Sequence, residues 1–250
     1  MSLKKLLIIA ICAVSLSACS HKTWQIISQS STRIPIDSTT EALADKNYET
    51  WLQPVKQKID VEMNVVIGQA AETMRAHAPE SLLSNFSADV YRQAATEFLG
   101  EKVDISVVNL GGLRTVIPAG NITVRKVFEL MPFENELVVV WLKGDKLLEL
   151  LQFFAKVGGE GISGLRMEIR NGKAANISID GKPLNTDELY SIATNDYLAG
   201  GNDKMFQLAM YEKRVNTGIK IRNMLLSYIK NETQKGNKIQ SKLDGRITAY

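Results

Sequence analysis

Apolar residues recur in two rhythms along this chain. Between Pro79, which breaks the chain, and Gly100, a natural helix stop, Phe86, Val90, Ala94 and Phe98 fall one helical turn apart and predict one apolar face. Glu41 to Ala76 is also mostly helical in pattern. Val55, Ile59, Met63, Val66 and Ile67 recur at helical spacing, and Pro54 suits a first helical turn. Val103 to Val108 is a β-branched run that predicts a buried strand. Leu137 to Leu142 is so continuously apolar that it predicts a strand covered on both faces. Between these two, Asn121-Ile122-Thr123 starts a short helix with Thr123 as its N-cap.

The second half reads in the same way. Asp145 is placed to cap the helix KLLELLQFFAKV, which ends at Gly158-Gly159. Leu165–Ile169 and Ala175–Ile179 are strands joined through Asn171-Gly172, a hairpin signal, and Asp180-Gly181 makes a further turn. Leu189–Thr194 is a strand, followed by the glycine-rich loop NDYLAGGNDKMF. Asn216 or Thr217 can cap a helix through about Glu232, with Ile221, Leu225 and Ile229 on one face. Asp244-Gly245-Arg246-Ile247-Thr248 closes the chain as a turn and a last strand. Strands and helices alternate, yet several strand pairs join by hairpins. The fold class is therefore mixed α/β (α+β), with layered sheets flanked by helices, and not a doubly wound sheet.

The first 18 residues read as an export signal: Lys4 and Lys5, then the apolar run Leu6–Leu16, too short to span a bilayer. The run ends in Leu16-Ser17-Ala18-Cys19, which resembles a bacterial lipobox, so Cys19 is expected to be lipidated and to become the first mature residue. Residues 19–45, rich in Ser and Thr, read as a tether with an early strand around Trp24–Ile27. Residues 46–250 form the folded domain. Cys12 leaves with the signal, so no disulfide is available. Without Lys4 and Lys5 the formal charge falls from +3 to +1, and no basic block argues for nucleic acid. The expected location is the cell envelope, through a lipid anchor.

Candidate catalytic chemistry is scarce. The chain has 2 histidines, His21 in the tether and His77 beside the Pro79 break, too few for a clustered metal site or a Ser-His-Asp set. No P-loop, G-x-G-x-x-G or G-x-S-x-G is present. Binding groups are plentiful. In Val107–Val139, Gly111 and Gly112 allow a tight bend and a close backbone approach. Arg114 carries a planar fork for phosphate or carboxylate. Phe133 follows Pro132, and Tyr197 precedes the glycine loop. Two such aromatics can sandwich a planar base, Asn109 and Asn135 can meet its donors and acceptors, and Asp203 can accept from sugar hydroxyls.

Taken in order, these blocks carry a resemblance. Asn109-Leu110-Gly111-Gly112-Leu113-Arg114 is similar to N-x-G-G-I-R, and Met131-Pro132-Phe133-Glu134-Asn135 to L-P-F-x-N. With Glu80–Ala95, Gly120–Thr123, Leu142-Lys143-Gly144, Asn195–Asp203 and Asp244–Ile247, they resemble the C-terminal domain of the bacterial and animal 5′-nucleotidase family over Val61–Tyr250. The resemblance implies that Phe133 and Tyr197 stack on a base while Asn109 and Asn135 touch its edge. It further implies that Asp203 holds the ribose, Arg114 meets the phosphate side, and Gly112 and Gly201 belong to the substrate-binding turns. Asn202 is a rival for the role of Asp203, and Pro79 stands where the family carries an arginine. The family's N-terminal metallophosphoesterase domain, with its two metals, has no counterpart in these motifs. The expectation is thus a nucleoside- or nucleotide-binding subunit of a split 5′-nucleotidase. It would hold no cofactor itself, and a separate metallophosphoesterase chain would supply the divalent metals. The alternatives are a non-catalytic ligand-binding envelope lipoprotein and a structural one.

Overall fold

The computed structural model describes residues 24–41 and 43–250. The expected signal segment and Cys19 lie outside the described residues. Contacts divide the chain into two units, up to Leu52 and from Gln53 to Tyr250. In the first, Trp24–Ile27 is exposed and has no regular structure, so the strand expected there does not form. A short helix α1 (Ser38–Glu41) follows Asp37, whose carboxylate accepts from the Thr39 amide at 2.8 Å. Helix α2 (Lys46–Met63) begins here and runs on into the second unit. Asp45 caps it by accepting from the Asn47 amide at 2.9 Å. Pro54 therefore lies mid-helix and not in its first turn. An exposed helix tolerates this because only one ladder hydrogen bond is forfeited.

The helical pattern expected through Ala76 stops at Met63. Val66–Ala70 forms strand β1, which pairs antiparallel with β3 (Gly120–Thr123). The Val65-Val66-Ile67 run is β-branched and suits a pleated surface better than a helix. Helix α3 (Leu82–Leu99) starts on a capping box between Ser81 and Ser84 and stops at Gly100, whose φ of +70° is left-handed. Phe86 and Val90 are buried as the spacing required, but Phe98 remains 46% exposed.

The second unit is organised on a five-stranded sheet of order β10-β4-β9-β2-β5. Its members are β2 (Ile105–Val108), β4 (Glu136–Lys143), β5 (Gly161–Ser163), β9 (Leu189–Asn195) and β10 (Lys213–Lys220). Strands β2 and β9 are parallel, and the other pairs are antiparallel. Strand β4 is covered on both faces, as its apolar run predicts. Leu137 and Val139 join the core beneath α3 and α7 (Ile221–Gln234), while Val138, Val140 and Leu142 join the core beneath α5 (Gly144–Val157). Alternation with period two produces this division. The α5 side is completed by a four-stranded sheet, order β11-β6-β7-β8. In it, β6 (Leu165–Arg170) and β7 (Lys173–Ile179) meet at Asn171-Gly172, with φ values of +51° and +71°. A turn at Asp180-Gly181 leads to β8 (Lys182–Pro183), and β11 (Ile247–Ala249) runs parallel to β6.

Three local expectations are corrected. Lys143, not Asp145, is the N-cap of α5, and Asp145 sits in its first turn. Helix α7 begins at Ile221 and not near Asn216 or Thr217, because Lys213–Lys220 pairs with β4 as β10. The Thr217 hydroxyl accordingly donates to the Leu137 carbonyl at 2.7 Å instead of capping a helix. The loop after β9 opens with a short helix α6 (Asp196–Ala199), capped by Asn195. By contrast, Thr123 caps α4 (Val124–Leu130) as expected. Among the described residues, no helix is long and apolar enough to cross a membrane.

Candidate functional site

One end of the five-stranded sheet gathers the candidate residues, and topology is the reason. Strand β2 is parallel to β9, so both finish at the same edge. Strand β4 is antiparallel to β9, with Leu137 opposite Asn195, so it starts at that edge. The turn after β2 carries Asn109 to Arg114, the corner before β4 carries Phe133 and Asn135, and the loop after β9 carries Tyr197 and Asp203. Segments far apart in sequence thus open side by side.

They border one cavity of about 330 Å³, lined by Asn109, Gly111, Gly112, Arg114, Phe133, Asn135, Tyr197 and Asp203, with Tyr91, Met131, Asn195 and Ile221. Phe133 and Tyr197 are 46% and 44% exposed, more than a core aromatic would be. Asn109 Nδ2 donates to Asp203 Oδ2 at 2.6 Å, and Tyr197 Oη donates to Asp203 Oδ1 at 2.9 Å. That bond to Asp203 raises the Tyr197 pKa and keeps its hydroxyl protonated. Asn135 Nδ2 donates to Asp196 Oδ1 at 2.8 Å. An ionised carboxylate only accepts, so each asparagine commits one N–H to a carboxylate and keeps its amide oxygen for other partners.

Arg114 is exposed. Its Nη1 donates to the Gly111 carbonyl at 3.1 Å, and among the described residues it makes no ion pair. It therefore offers an uncompensated cation at the cavity mouth, suited to an anionic group. Gly112 is required by space: a Cβ there would lie 2.6 Å from Asn109 Oδ1 and would displace that side chain. Gly201 stands apart from the other candidates. It does not line the cavity; its φ of +82° turns the loop, and a Cβ would meet Ala209 and Phe206. Asp203, not Asn202, reaches the cavity. Asn202 turns back to donate to the Tyr197 carbonyl at 2.7 Å, while Asp203 adopts a φ of +53°, a region that Asp and Asn tolerate.

Several supporting residues escape sequence reasoning. Arg222 on α7 holds the Pro132-Phe133 corner: its Nη1 donates to the Met131 and Phe133 carbonyls at 3.4 Å each, and it pairs with Glu134. Its guanidinium also lies 4.1 Å from the centroid of the Phe128 ring. Glu160 lies behind the turn and accepts from the Leu110 amide at 2.7 Å. Burial raises its pKa to about 7, with a further push from the Asp203 charge and against the Leu110 hydrogen bond. Nothing in sequence spacing links Glu160 or Arg222 to these loops. Tyr91 lies on α3 at a position that reads as core. Among the described residues, no three His, Cys, Asp or Glu side chains gather as a metal centre requires, so no step through a metal is assigned to them.

Known proteins resemble this chain in sequence and fold. A 5′-nucleotidase of Vibrio vulnificus is 30% identical over 194 residues, covering 75% of this chain and 34% of that protein. A trifunctional nucleotide phosphoesterase of Bacillus subtilis is 28% identical over 235 residues, covering 86% of this chain and 16% of its own length. Among solved structures, a 5′-nucleotidase precursor from Thermus thermophilus superimposes with a TM-score of 0.68 at 28% identity, covering 81% of this chain and 42% of that one. The chain thus spans about a third of the length of the Vibrio relative. The model of the 5′-nucleotidase C-terminal domain matches residues 66–210, more than half of the sequence and all of the cavity's three loops. The chain belongs to that family.

Proposed function

We propose that this domain binds a nucleoside or nucleotide and acts as the substrate-binding part of a split 5′-nucleotidase. On this reading a separate metallophosphoesterase chain supplies the divalent metals and the activated water. One observation carries the reading: two half-exposed aromatic rings from different loops border a single cavity with two amide oxygens, a carboxylate and a free arginine. This set of groups suits the parts of a nucleotide. Rings stack on a base, amides and carboxylate meet base and sugar polar groups, and the arginine meets phosphate.

Stacking on one aromatic is worth about 1–3 kcal/mol. Phe133→Ala is therefore expected to weaken adenosine and AMP binding by about tenfold or more in calorimetric titration. Mixed with a metallophosphoesterase that lacks this domain, the wild-type chain should raise AMP hydrolysis above the partner alone, and Phe133→Ala should not. Failure of the wild type to bind either ligand would remove the nucleotide reading. Binding without any gain in hydrolysis would remove the split enzyme and leave a binding protein.

The anchor belongs to the same proposal: lipid on Cys19 holds the domain at the cell envelope. Cys19→Ala should move the chain from the membrane fraction to the soluble one. An unchanged distribution would show that the cysteine is not the anchor.

A further inference from the structure

Tyr91 is a cavity residue whose hydroxyl the fold leaves without a partner among the described residues. It is fully buried on α3, packed in the core beneath that helix, and it lines the cavity beside Asn195. Among the described residues its Oη has no hydrogen-bond partner. Burial, against the Asn195 side chain and with the Asp196 charge nearby, holds the phenol protonated above its ordinary range. The Asn195 Oδ1 accepts from the Leu198 amide at 2.8 Å. Tyr91 is thus a protonated donor with no acceptor among the described residues.

A phenylalanine would fill the same space without this penalty, because a buried polar group lacking a partner destabilises the fold. Packing alone does not account for the hydroxyl. Asn109 and Asn135 each give one N–H to a carboxylate and keep an amide oxygen, which accepts. Beside Met131 and Ile221, which are apolar, Tyr91 offers a donor to the flat part of a ligand.

We propose that Tyr91 is a specificity-determining residue, whose Oη donates a hydrogen bond to a ring-nitrogen acceptor of the bound heterocycle. The inference rests on the nucleotide reading above and deepens it. The base it selects carries an unprotonated ring nitrogen for Tyr91 and N–H groups for the asparagine oxygens, and an amino-substituted purine has both.

The test is Tyr91→Phe in the full-length chain, with thermal unfolding and calorimetric titration of adenosine and its 1-deaza, 3-deaza and 7-deaza analogues. The expected result has two signs. The melting temperature stays level or rises, since an unpaired buried hydroxyl is gone, while adenosine affinity falls about five- to tenfold. One deaza analogue binds wild type more weakly than adenosine does, and that difference disappears in Tyr91→Phe. A lowered melting temperature with unchanged affinity would make the hydroxyl structural and overturn the proposal. A deaza penalty that persists in the variant would also overturn it. If adenosine binds neither protein, the nucleotide reading itself falls and the proposal with it.

Discussion

Arg246→Met is expected to lower the stability of this domain by about 3 kcal/mol, the largest single effect outside the apolar core. Arg246 is only 7% exposed. Its Nη1 and Nη2 donate to the Asp89 carboxylate at 2.8 and 3.2 Å, its Nε and Nη2 to Asp244 at 3.0 Å each, and its Nη1 to the Ile162 carbonyl at 2.9 Å. The guanidinium thus ties the last turn to α3 and to β5. Glu80 closes the same knot by accepting from the Asp244 and Gly245 amides and from Asn85 Nδ2. Methionine keeps the stem's volume and leaves the Ile162 carbonyl and Asp244 without their donor. The value sits at the low end for a broken buried pair because the Asp89 side chain is half exposed and turns to solvent.

For a domain of this size the change lowers the melting temperature by about 6–12 °C. A shift under about 2 °C would show that the network contributes nothing. The deficit should also depend on pH. Hydrogen bonding to Arg246 holds the Asp244 carboxyl below its ordinary range. A depressed carboxylate stabilises the fold above its unfolded pKa, and that contribution is lost as pH falls through the lowered value. Wild type and variant therefore converge in acid.

Asp203→Asn is expected to weaken nucleoside binding by about 10- to 100-fold while barely moving the melting temperature. The backbone survives the change, because asparagine tolerates the positive φ of +53° at this position. The charge does not. The carboxylate accepts from both Asn109 Nδ2 and Tyr197 Oη. An amide in its place can accept from Asn109 and donate to the Tyr197 oxygen, which keeps the wall in place but removes the charge and the spare acceptor capacity that sugar hydroxyls would use. A hydrogen bond to a charged group is worth about 1.5–3 kcal/mol, and each 1.4 kcal/mol is tenfold in affinity. Titration of adenosine into both proteins checks the prediction. Affinities within twofold of each other would remove the carboxylate from the site.

Much of this architecture is written locally. The Asn171-Gly172 hairpin follows from two residues that accept positive φ, and both do so in the structure. Helices α3 and α5 end at Gly100 and Gly158, each left-handed as a C-terminal stop requires. Strand β4 is covered on both faces, as its unbroken apolar run demands. Two of the misses share one cause. Strands β3 and β10, GNIT and KRVNTGIK, lack an apolar rhythm of their own, and they become strands because β1 and β4 present open ladders to them. Pattern reading extended the flanking helices over them. Phe98 shows the converse: its spacing is right, yet it stands 46% exposed on α3.

The sequence by itself determined the elements whose cause lies within a few residues, and the order of motifs that marks the family. It also named Asn109, Arg114, Phe133, Asn135, Tyr197 and Asp203, because glycine turns, a proline corner and polar loop residues are local features. Only the tertiary structure decided that these residues share a cavity. It also decided that Gly201 lies off its wall, that both asparagines are turned by carboxylates, and that Tyr91 completes the lining with an unpaired hydroxyl. The physical reason is the ladder of the central sheet. With β9 set between β4 and β2, parallel to one and antiparallel to the other, hydrogen-bond pairing brings distant segments to one edge. Strand order is chosen by the packing of the whole domain, and no short stretch of chain encodes it.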